Sequence, residues 1–240
     1  MAGGLYVALS GMRTRMAQLE HAAADIANEG TAGYKGERAT TVAVNRPSFG
    51  DALDAAVDAA PAQSRIDFRP GVILGTGRDL DVAVDGPGFF SVQTAAGTRY
   101  TRNGHFSRSA DGTLVTGDGM PVLGQNGPIK LGDGEVGVNA DGTISVDKAP
   151  VDKLQLVDFP DYSSLSREEY GRFRIASGVQ PVEKPPGLVR GGALEQSNVS
   201  LSQQMANLTA TSRGFEALQK GVSLLANDID SRAISELGRR

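Results

Sequence analysis

The chain of 240 residues contains no cysteine, no tryptophan and only two histidines. Without cysteine it forms neither disulfides nor thiolate metal sites, and it has no thiol nucleophile. The two histidines, His21 and His105, are too few for a histidine-rich metal centre. Aromatic residues make up 5% of the sequence, which is thin for a single compact core of this length. These absences exclude several kinds of catalytic and metal site, and they indicate a small core.

Charge of one sign and long apolar runs are scarce as well. The formal net charge is −4, so we expect no basic surface for nucleic acid or an anionic membrane. No apolar run approaches the ~18 residues of a transmembrane helix, so no membrane insertion is expected. The first residues, Met1 to Leu9, lack the basic and then apolar segments of a cleavable secretory signal. We therefore expect a soluble protein, or one exported by a route that cleaves nothing.

Glycine, by contrast, is abundant, with 31 residues in the chain, about 13% against a usual ~7%. Between Leu80 and Val157, short β-branched runs alternate with Asp-Gly and Asn-Gly pairs, which tolerate the positive φ of tight hairpin turns. The predicted strands are Asp81–Val84, Phe89–Thr94, Thr98–Arg102, Thr113–Thr116, Met120–Leu123, Glu135–Val138, Thr143–Val146 and Leu154–Val157. The turn pairs end in Gly86, Gly104, Gly112, Gly119, Gly127, Gly134 and Gly142. The middle of the chain is thus predicted to be a small antiparallel β-domain.

Apolar residues recur with heptad spacing through the N-terminal segment, at steps of four and three residues. This apolar stripe consists of Leu5, Leu9, Met12, Met16, Leu19, Ala23 and Ile26. Polar residues lie between its members, and among them Asp25 is expected on a solvated face. The run Asn28 to Gly33 contains two glycines and is a sensible helix stop. The pattern predicts a long helix at the start of the chain.

The C-terminal segment repeats this design. Ser200 offers an N-cap, and Gln203 stands at capping-box distance from it. The apolar stripe that follows consists of Leu201, Met205, Leu208, Thr211, Phe215, Leu218, Val222, Leu225 and Ile229. Its only irregularity is a pair of three-residue steps through Leu208, a local phase slip.

Two interpretations of these stripes are open. A heptad stripe commonly packs on the core of its own domain, and both stripes are long enough to do so. However, they are narrow, they lie at the two ends of the chain, and a glycine-rich body separates them. Further copies of the same helices from neighbouring subunits would bury them better, which favours a protein that assembles.

The order of segments predicts an α+β fold with helices forming a coiled-coil-like inner layer and extended linkers around the β-domain. Residues 34–74 are expected to be a linker with some β structure, in which Val42 and Val44 fit a strand and residues 51–60 are rich in Ala and Asp. Pro and Gly punctuate a second linker before the last helix. The predicted segments are 1–33 (helix of the inner, D0, domain), 34–74 (linker), 75–180 (β-domain, D1), 181–197 (linker) and 198–240 (helix of D0).

The sequence indicates no enzyme: we expect no catalytic, cofactor-binding or metal-binding residues and no cofactor. Carboxylates fall on turns or helix faces, and His105 with Ser107 flanks a predicted hairpin. The repeated Asp-Gly pairs match no calcium-binding loop. Arg99, Arg102 and Arg108 lie near two aromatics, as in a nucleic-acid surface, but the acidic balance of the chain argues against nucleic acid as a partner.

Several motifs resemble those of the bacterial flagellar rod and hook proteins, and they cover both ends and the centre of the chain. Those at the ends are Leu9-Ser10-Gly11-Met12, Asp25-Ile26-Ala27-Asn28, Thr31, Gly33-Tyr34-Lys35, Gly192–Val199 and Arg213–Ala217. Those in the body are Thr76–Val84, Gly86–Phe90 and Tyr100–Phe106. Within the family, the length and the run Asp67–Gly71 look most like a proximal-rod subunit, with a distal-rod subunit as the alternative. A hook protein usually carries a larger body insertion.

The resemblance implies a structural, non-enzymatic part of the basal body, made in the cytoplasm and exported by the flagellar type III apparatus without signal cleavage. Such proteins assemble in the periplasm, with copies of themselves and other rod proteins, into a torque-transmitting helical tube. Asn28, Gly33 and Tyr34 would turn the chain outward from an inner subunit seam. The seam residues would be Leu5, Leu9, Met12, Met16, Leu19, Ile26, Leu201, Met205, Leu208, Phe215, Leu218, Val222, Leu225 and Ile229. A monomeric ligand-binding β-domain, with an aromatic-lined site, is the alternative from a different class.

Overall fold

A computed structural model describes residues 2–40, 63–183 and 187–237 of the chain. The expected strand at Val42 and Val44 and the Ala- and Asp-rich residues 51–60 lie outside the described residues. The α-helices are α1 (Ala2–Ala27) and α2 (Leu201–Leu237). The strands are β1 (Glu37–Thr40), β2 (Gln63–Ile66), β3 (Ile73–Gly75), β4 (Val82–Asp85), β5 (Phe89–Thr94), β6 (Gly97–Thr101), β7 (Phe106–Arg108), β8 (Leu114–Thr116), β9 (Leu123–Gly124), β10 (Gly127–Pro128), β11 (Val136–Val138), β12 (Thr143–Val146), β13 (Ala149–Lys153), β14 (Leu156–Asp158), β15 (Leu165–Arg167), β16 (Arg172–Ile175), β17 (Val182–Glu183), β18 (Leu188–Gly191) and β19 (Ala193–Glu195).

The predicted α+β class is confirmed, with a helix at each end and antiparallel strands between them. The chain divides into two compact units. The first, called the helical unit here, comprises the described residues 2–27, 37–40, 63–65 and 200–237. The second, the β unit, comprises the described residues 28–36, 66–183 and 187–199. Strands β1 and β2 pair with each other.

The β unit is built mainly from antiparallel hairpins. Its largest sheet has six strands in the order β15-β16-β6-β5-β14-β17, and its centre is the hairpin of β5 and β6, in which Thr94 pairs with Gly97. A three-stranded sheet has the order β11-β12-β13. Two- and three-residue turns join many of these strands, and the positive φ of six of the seven predicted turn glycines confirms the reason for the glycine excess. They are Gly86, Gly112, Gly119, Gly127, Gly134 and Gly142.

Gly104 is the exception among the predicted turn glycines. Its backbone is not left-handed; instead, a Cβ built on it would lie 1.6 Å from the carbonyl oxygen of Val82. Glycine stands here because two backbones approach closely, and the prediction of a left-handed turn at this position is wrong.

Two clusters of buried apolar side chains form the core of the β unit. Phe90 and Val92 of β5 point into the larger cluster, while Phe89 points into a smaller one with Phe173. Successive residues of a strand face opposite sides of a sheet, so β5 contributes side chains to both clusters. Phe89, Phe90, Tyr100 and Phe106 are all buried in these clusters.

The boundaries of the predicted linkers differ from the structure. In the segment 181–197, β18 pairs with β4 and β19 pairs with β3, so these residues belong to the β unit. The segment contains several prolines and glycines, and these residues suggested a linker. However, Leu188–Gly191 and Ala193–Glu195 form hydrogen-bonded pairs with strands that are distant in the sequence, and local composition does not predict such pairing. At the other end, helix α1 stops at Ala27, and residues 28–36 also belong to the β unit.

Candidate assembly interface

Helices α1 and α2 pack against each other in the helical unit. A Cβ built on Gly11 would lie 3.4 Å from Leu218 Cδ1, and a Cβ built on Gly214 would lie 3.5 Å from Arg15 Nε. Near the other end of α1, Gln204 Nε2 donates a hydrogen bond of 2.9 Å to Asp25 Oδ2. Because residue numbers rise along α1 while those of their α2 partners fall, the two helices are antiparallel.

The face of α1 that meets α2 is not its apolar stripe. The contact face carries Gly11, Arg15 and Asp25, together with the buried Ala22. At ~100° of rotation per residue, the centre of the apolar stripe lies roughly 105° around the helix from the centre of this contact face. Glycine and alanine let the helices approach closely, and the larger apolar residues of the stripe are left to one side.

The exposure of the α1 stripe follows from this rotation. Met12, Leu19 and Ile26 lie on the edge of the stripe nearer to α2 and are half-buried. Leu9 and Met16 lie on the far edge, and 44% and 56% of their surfaces are exposed. Leu5 is in the helix, but its side chain lies outside the described ones.

The stripe of α2 divides differently along its length. Its middle faces α1 and is half-buried, and this part comprises Leu208, Phe215, Leu218 and Val222. Leu201 and Met205, in the first two turns, are 41% and 57% exposed. Leu225 and Ile229 lie in the helix, but their side chains are outside the described ones. The pair of helices therefore leaves large apolar side chains exposed on both of its members.

Asp25 corrects one expectation about α1. It was expected on a solvated face, but it is 1% exposed. Its carboxylate accepts hydrogen bonds from Gln204 Nε2 and, at 3.3 Å to each oxygen, from the backbone N–H of Glu37. Periodicity placed this residue off the apolar stripe and so outside the core. In fact α2 and the start of β1 supply polar partners that compensate its burial.

The chain leaves α1 through a compact turn. Thr31 closes this turn, because its backbone N–H donates to Asn28 O at 3.0 Å and its hydroxyl donates to Asn28 Oδ1 at 3.2 Å. Gly33 has a φ of 68°, and a Cβ on it would lie 2.3 Å from the carbonyl carbon of Arg102. Its N–H donates to Glu195 O at 2.7 Å. Gly33 thus anchors the turn between two distant segments of the β unit.

Tyr34 and Lys35 continue this anchor. The guanidinium of Arg167 stacks over the buried ring of Tyr34, with 4.4 Å between its central carbon and the ring centroid. The same side chain donates a short hydrogen bond to Lys35 O. Asn198 accepts from the Gly36 N–H at 2.8 Å and donates to Asp67 O at 2.7 Å. Residues from both ends of the β unit are thereby tied to its body.

Lys35, Arg102 and Glu195 form a buried ionic centre inside the β unit. Lys35 Nζ lies 2.5 Å from Glu195 Oε1 and donates to Arg69 O at 3.0 Å. Arg102 Nε lies 3.0 Å from Glu195 Oε2, and its terminal nitrogens donate to Gly88 O and Gly86 O. The side chains are 0%, 5% and 1% exposed for the lysine, arginine and glutamate. Two buried cations thus share one carboxylate, and backbone carbonyls accept further hydrogen bonds from both of them.

Burial dominates the electrostatics of Lys35. Removal from water lowers the pKa of its ammonium, and the attraction and hydrogen bond of Glu195 oppose this shift only in part. Arg102 adds to the lowering because it is a second cation nearby. Such a centre fixes the conformation of the segments that supply it, since separating its charges leaves them uncompensated in the interior.

The sequence drew attention to each residue of this centre, but it did not predict that the three side chains contact one another. Lys35 and Glu195 stand in motifs noted for their resemblance, and Arg102 was considered for a nucleic-acid surface, whereas it is buried. Within the described residues, no group of three or more His, Cys, Asp or Glu side chains is placed to hold a metal ion. In the same part of the chain, no helix is both long and apolar enough to cross a membrane.

Comparisons with known proteins agree with this architecture. Residues 83–146 match a family model described as the flagellar hook protein FlgE/F/G D1 domain, and residues 190–235 match one described as the flagellar basal body rod FlgEFG protein C-terminal region. The chain is 32% identical to the flagellar basal-body rod protein FlgF of Caulobacter vibrioides, over 100% of this chain and 99% of the relative. It is 34% identical to FlgF of Rhizobium meliloti, over 99% of each. It is 30% identical to FlgG of Bacillus subtilis, over 92% of this chain and 94% of the relative.

The chain therefore belongs to the family of flagellar basal-body rod proteins. Within that family the chain is FlgF-like, and its identity to FlgG is only slightly lower than its identity to FlgF. This is a family of structural rod subunits rather than of enzymes, and its place is the flagellar basal body.

Proposed function

We propose that this chain is a structural subunit of the proximal rod, and that the exposed edge of the α1–α2 pair is the surface through which it joins copies of itself and other rod proteins. The observation that carries the proposal is the exposure of Leu9 and Met16 on α1 and of Leu201 and Met205 on α2. These side chains belong to the two stripes whose heptad spacing is typical of helices that pack against further helices.

The free energy available at this surface is substantial. Burying one leucine or methionine side chain completely contributes ~1.5–3 kcal/mol, so these four, each about half exposed, offer on the order of 4 kcal/mol. This approaches the ~5 kcal/mol at the lower end of the stability range of folded proteins. Neighbouring helices that cover the stripe would release this free energy on assembly.

The same feature supports export before assembly. Helices gain most of their stability in proteins from the packing of an apolar face, and here part of that face has no cover within the chain. A helical unit of this kind is weakly ordered before assembly and passes readily through the flagellar type III apparatus, without signal cleavage. It becomes fully ordered in the periplasmic rod, where neighbours supply the missing contacts.

Substitutions on the exposed edge of α1 test the proposal. Leu9→Asp and Met16→Asp, each introduced into the chromosomal copy of the gene, should abolish recovery of the chain in purified basal bodies and abolish swimming. Arg13→Asp places the same carboxylate at an exposed polar position of the same helix and should leave both intact.

The purified full-length variants supply the second arm of this experiment. Because Leu9 and Met16 are exposed, their replacement should leave the thermal unfolding midpoint of the β unit unchanged. Basal bodies that contain normal amounts of both aspartate variants would refute the surface. A monomeric ligand-binding module predicts that outcome, since it needs no exposed seam.

A further inference from the structure

Tyr170 occupies an unusual position at the tip of the hairpin between β15 and β16. Its φ and ψ are 60° and 28°, and Gly171 after it has a φ of 68°. The Arg172 N–H donates to Glu169 O and closes the turn, so Tyr170 and Gly171 are the two central residues of a type I′ turn. Asn, Asp or Gly normally takes the first of these positions, because a bulky side chain is disfavoured in the left-handed region.

The base of this turn is held firmly. Arg172 forms a short ion pair with Asp118, in which both side chains are largely buried. The hydroxyl of Thr101 on β6 donates to Gly171 O at 3.2 Å, and the Glu168 N–H donates to Arg172 O at 2.8 Å. The backbone of the turn is therefore fixed to the centre of the six-stranded sheet.

The side chain of Tyr170 nevertheless points into solvent. It is 67% exposed, and no other aromatic residue whose side chain the structure describes belongs to the exposed class. Its ring lies over the guanidinium of Arg172, 5.2 Å from the central carbon, which restricts its orientation. The fold thus displays a large side chain in a fixed direction, at a position that its own turn would fill better with Asn or Gly.

Neither core packing nor turn formation accounts for a tyrosine here. A binding contact does, because a restrained aromatic side chain buries a large area while losing little conformational entropy. Tyrosine is also one of the residues most enriched at the energetic centres of protein interfaces. We propose that Tyr170 anchors a lateral contact between the β unit and a neighbouring rod subunit, in which an apolar pocket of that subunit receives the ring.

This inference rests on the proposed function, since it assumes that the chain is built into the rod. It adds a second contact surface, on the β unit, to the one on the helices. A helical assembly in which contacts do not close needs at least two different surfaces on each subunit.

Tyr170→Gly separates a binding role from a structural one. Removing a bulky side chain from the left-handed region should raise the thermal unfolding midpoint of the purified full-length chain, or leave it unchanged. The number of copies per purified basal body, measured by quantitative immunoblotting, should fall at least ~30-fold, the factor expected for loss of an interface hot spot. Tyr170→Phe keeps the ring and should retain most of the incorporation.

Lys148 provides a matched control. It is an exposed residue of the β unit with a φ of 67°, in the two-residue turn between β12 and β13. Lys148→Gly should stabilise the chain in the same way and leave incorporation at the wild-type value. Loss of incorporation in Tyr170→Gly alone, without loss of stability, supports the anchor.

Two results would overturn the anchor. One is normal incorporation of Tyr170→Gly, and the other is a lowered unfolding midpoint, which would make Tyr170 a support of its own hairpin. Leu9→Asp in the same strain distinguishes the two proposals: if it blocks incorporation while Tyr170→Gly does not, the helical surface stands and the anchor fails. If neither variant is blocked, both proposals fail.

Discussion

Lys35 and Glu195 are separated by 160 positions in the sequence, yet Lys35 Nζ lies 2.5 Å from Glu195 Oε1 in the interior of the β unit. One residue follows the first helix and the other precedes the last one. Arg102, from the middle of the chain, approaches the second oxygen of the same carboxylate. The β unit is therefore closed by a contact among its beginning, its centre and its end.

The charge balance of this centre predicts that removing the charge of Glu195 lowers the free energy of unfolding more than removing the charge of Lys35. Glu195→Gln leaves two buried cations without a counter-ion and should lower the free energy of unfolding by about 3–5 kcal/mol. Lys35→Met leaves Arg102 and Glu195 as a neutral pair, so it should cost only about 1–2 kcal/mol. Urea unfolding of the purified variants measures both values. Equal losses would show that the carboxylate does not balance both cations.

The turn after α1 offers a second comparison, between Gly33 and Gly30. Gly33→Ala places a Cβ against the backbone of Arg102 and forces a left-handed alanine, so it should destabilise the chain by at least about 2 kcal/mol. A Cβ on Gly30 meets nothing within 4 Å, so Gly30→Ala should change stability by no more than ~0.5 kcal/mol. Thermal unfolding of the two variants tests this difference. A neutral Gly33→Ala would contradict the tight approach.

Tyr162 links stability to alkaline pH. Burial, together with the hydrogen bond that its hydroxyl donates to Asp158 at 2.9 Å, raises the pKa of this phenol from 10.0 to about 12. The stability that the neutral phenol contributes is fully present below pH 10 and is lost as pH rises through about 12. Urea midpoints measured between pH 9 and 12 should therefore fall less steeply for Tyr162→Phe than for the wild type. Parallel curves above pH 10 would refute this linkage.

Much of the fold follows from local patterns in the sequence. The helices appear in the heptad stripes, and strands such as Phe89–Thr94 and Thr143–Val146 appear between turn pairs at the predicted positions. The segment Leu188–Glu195 was not identified as strand, because its pairing partners β4 and β3 lie more than a hundred residues away. Glycines and prolines around it suggested a linker, and only the tertiary pairing overrides that local preference.

The interface could be predicted in part for a similar reason. Periodicity identifies which residues of α1 are apolar, but it does not show that the small residues Gly11 and Ala22 take the face toward α2. The motifs that contain Lys35 and Glu195 were noted, but nothing local predicts that these side chains are buried together with Arg102, since a single Lys, Arg or Glu most often lies at the surface. Tyr170 was also missed, because Tyr-Gly is not a recognised hairpin pair.

The ionic centre forms only in a chain that extends as far as Glu195. A copy that ends before Glu195 has Lys35 and Arg102 without their shared carboxylate, and it also lacks β19 and the whole of α2. Such a fragment can form neither a closed β unit nor the helix pair. Completion of the β unit therefore depends on a residue that lies close to the start of the last helix.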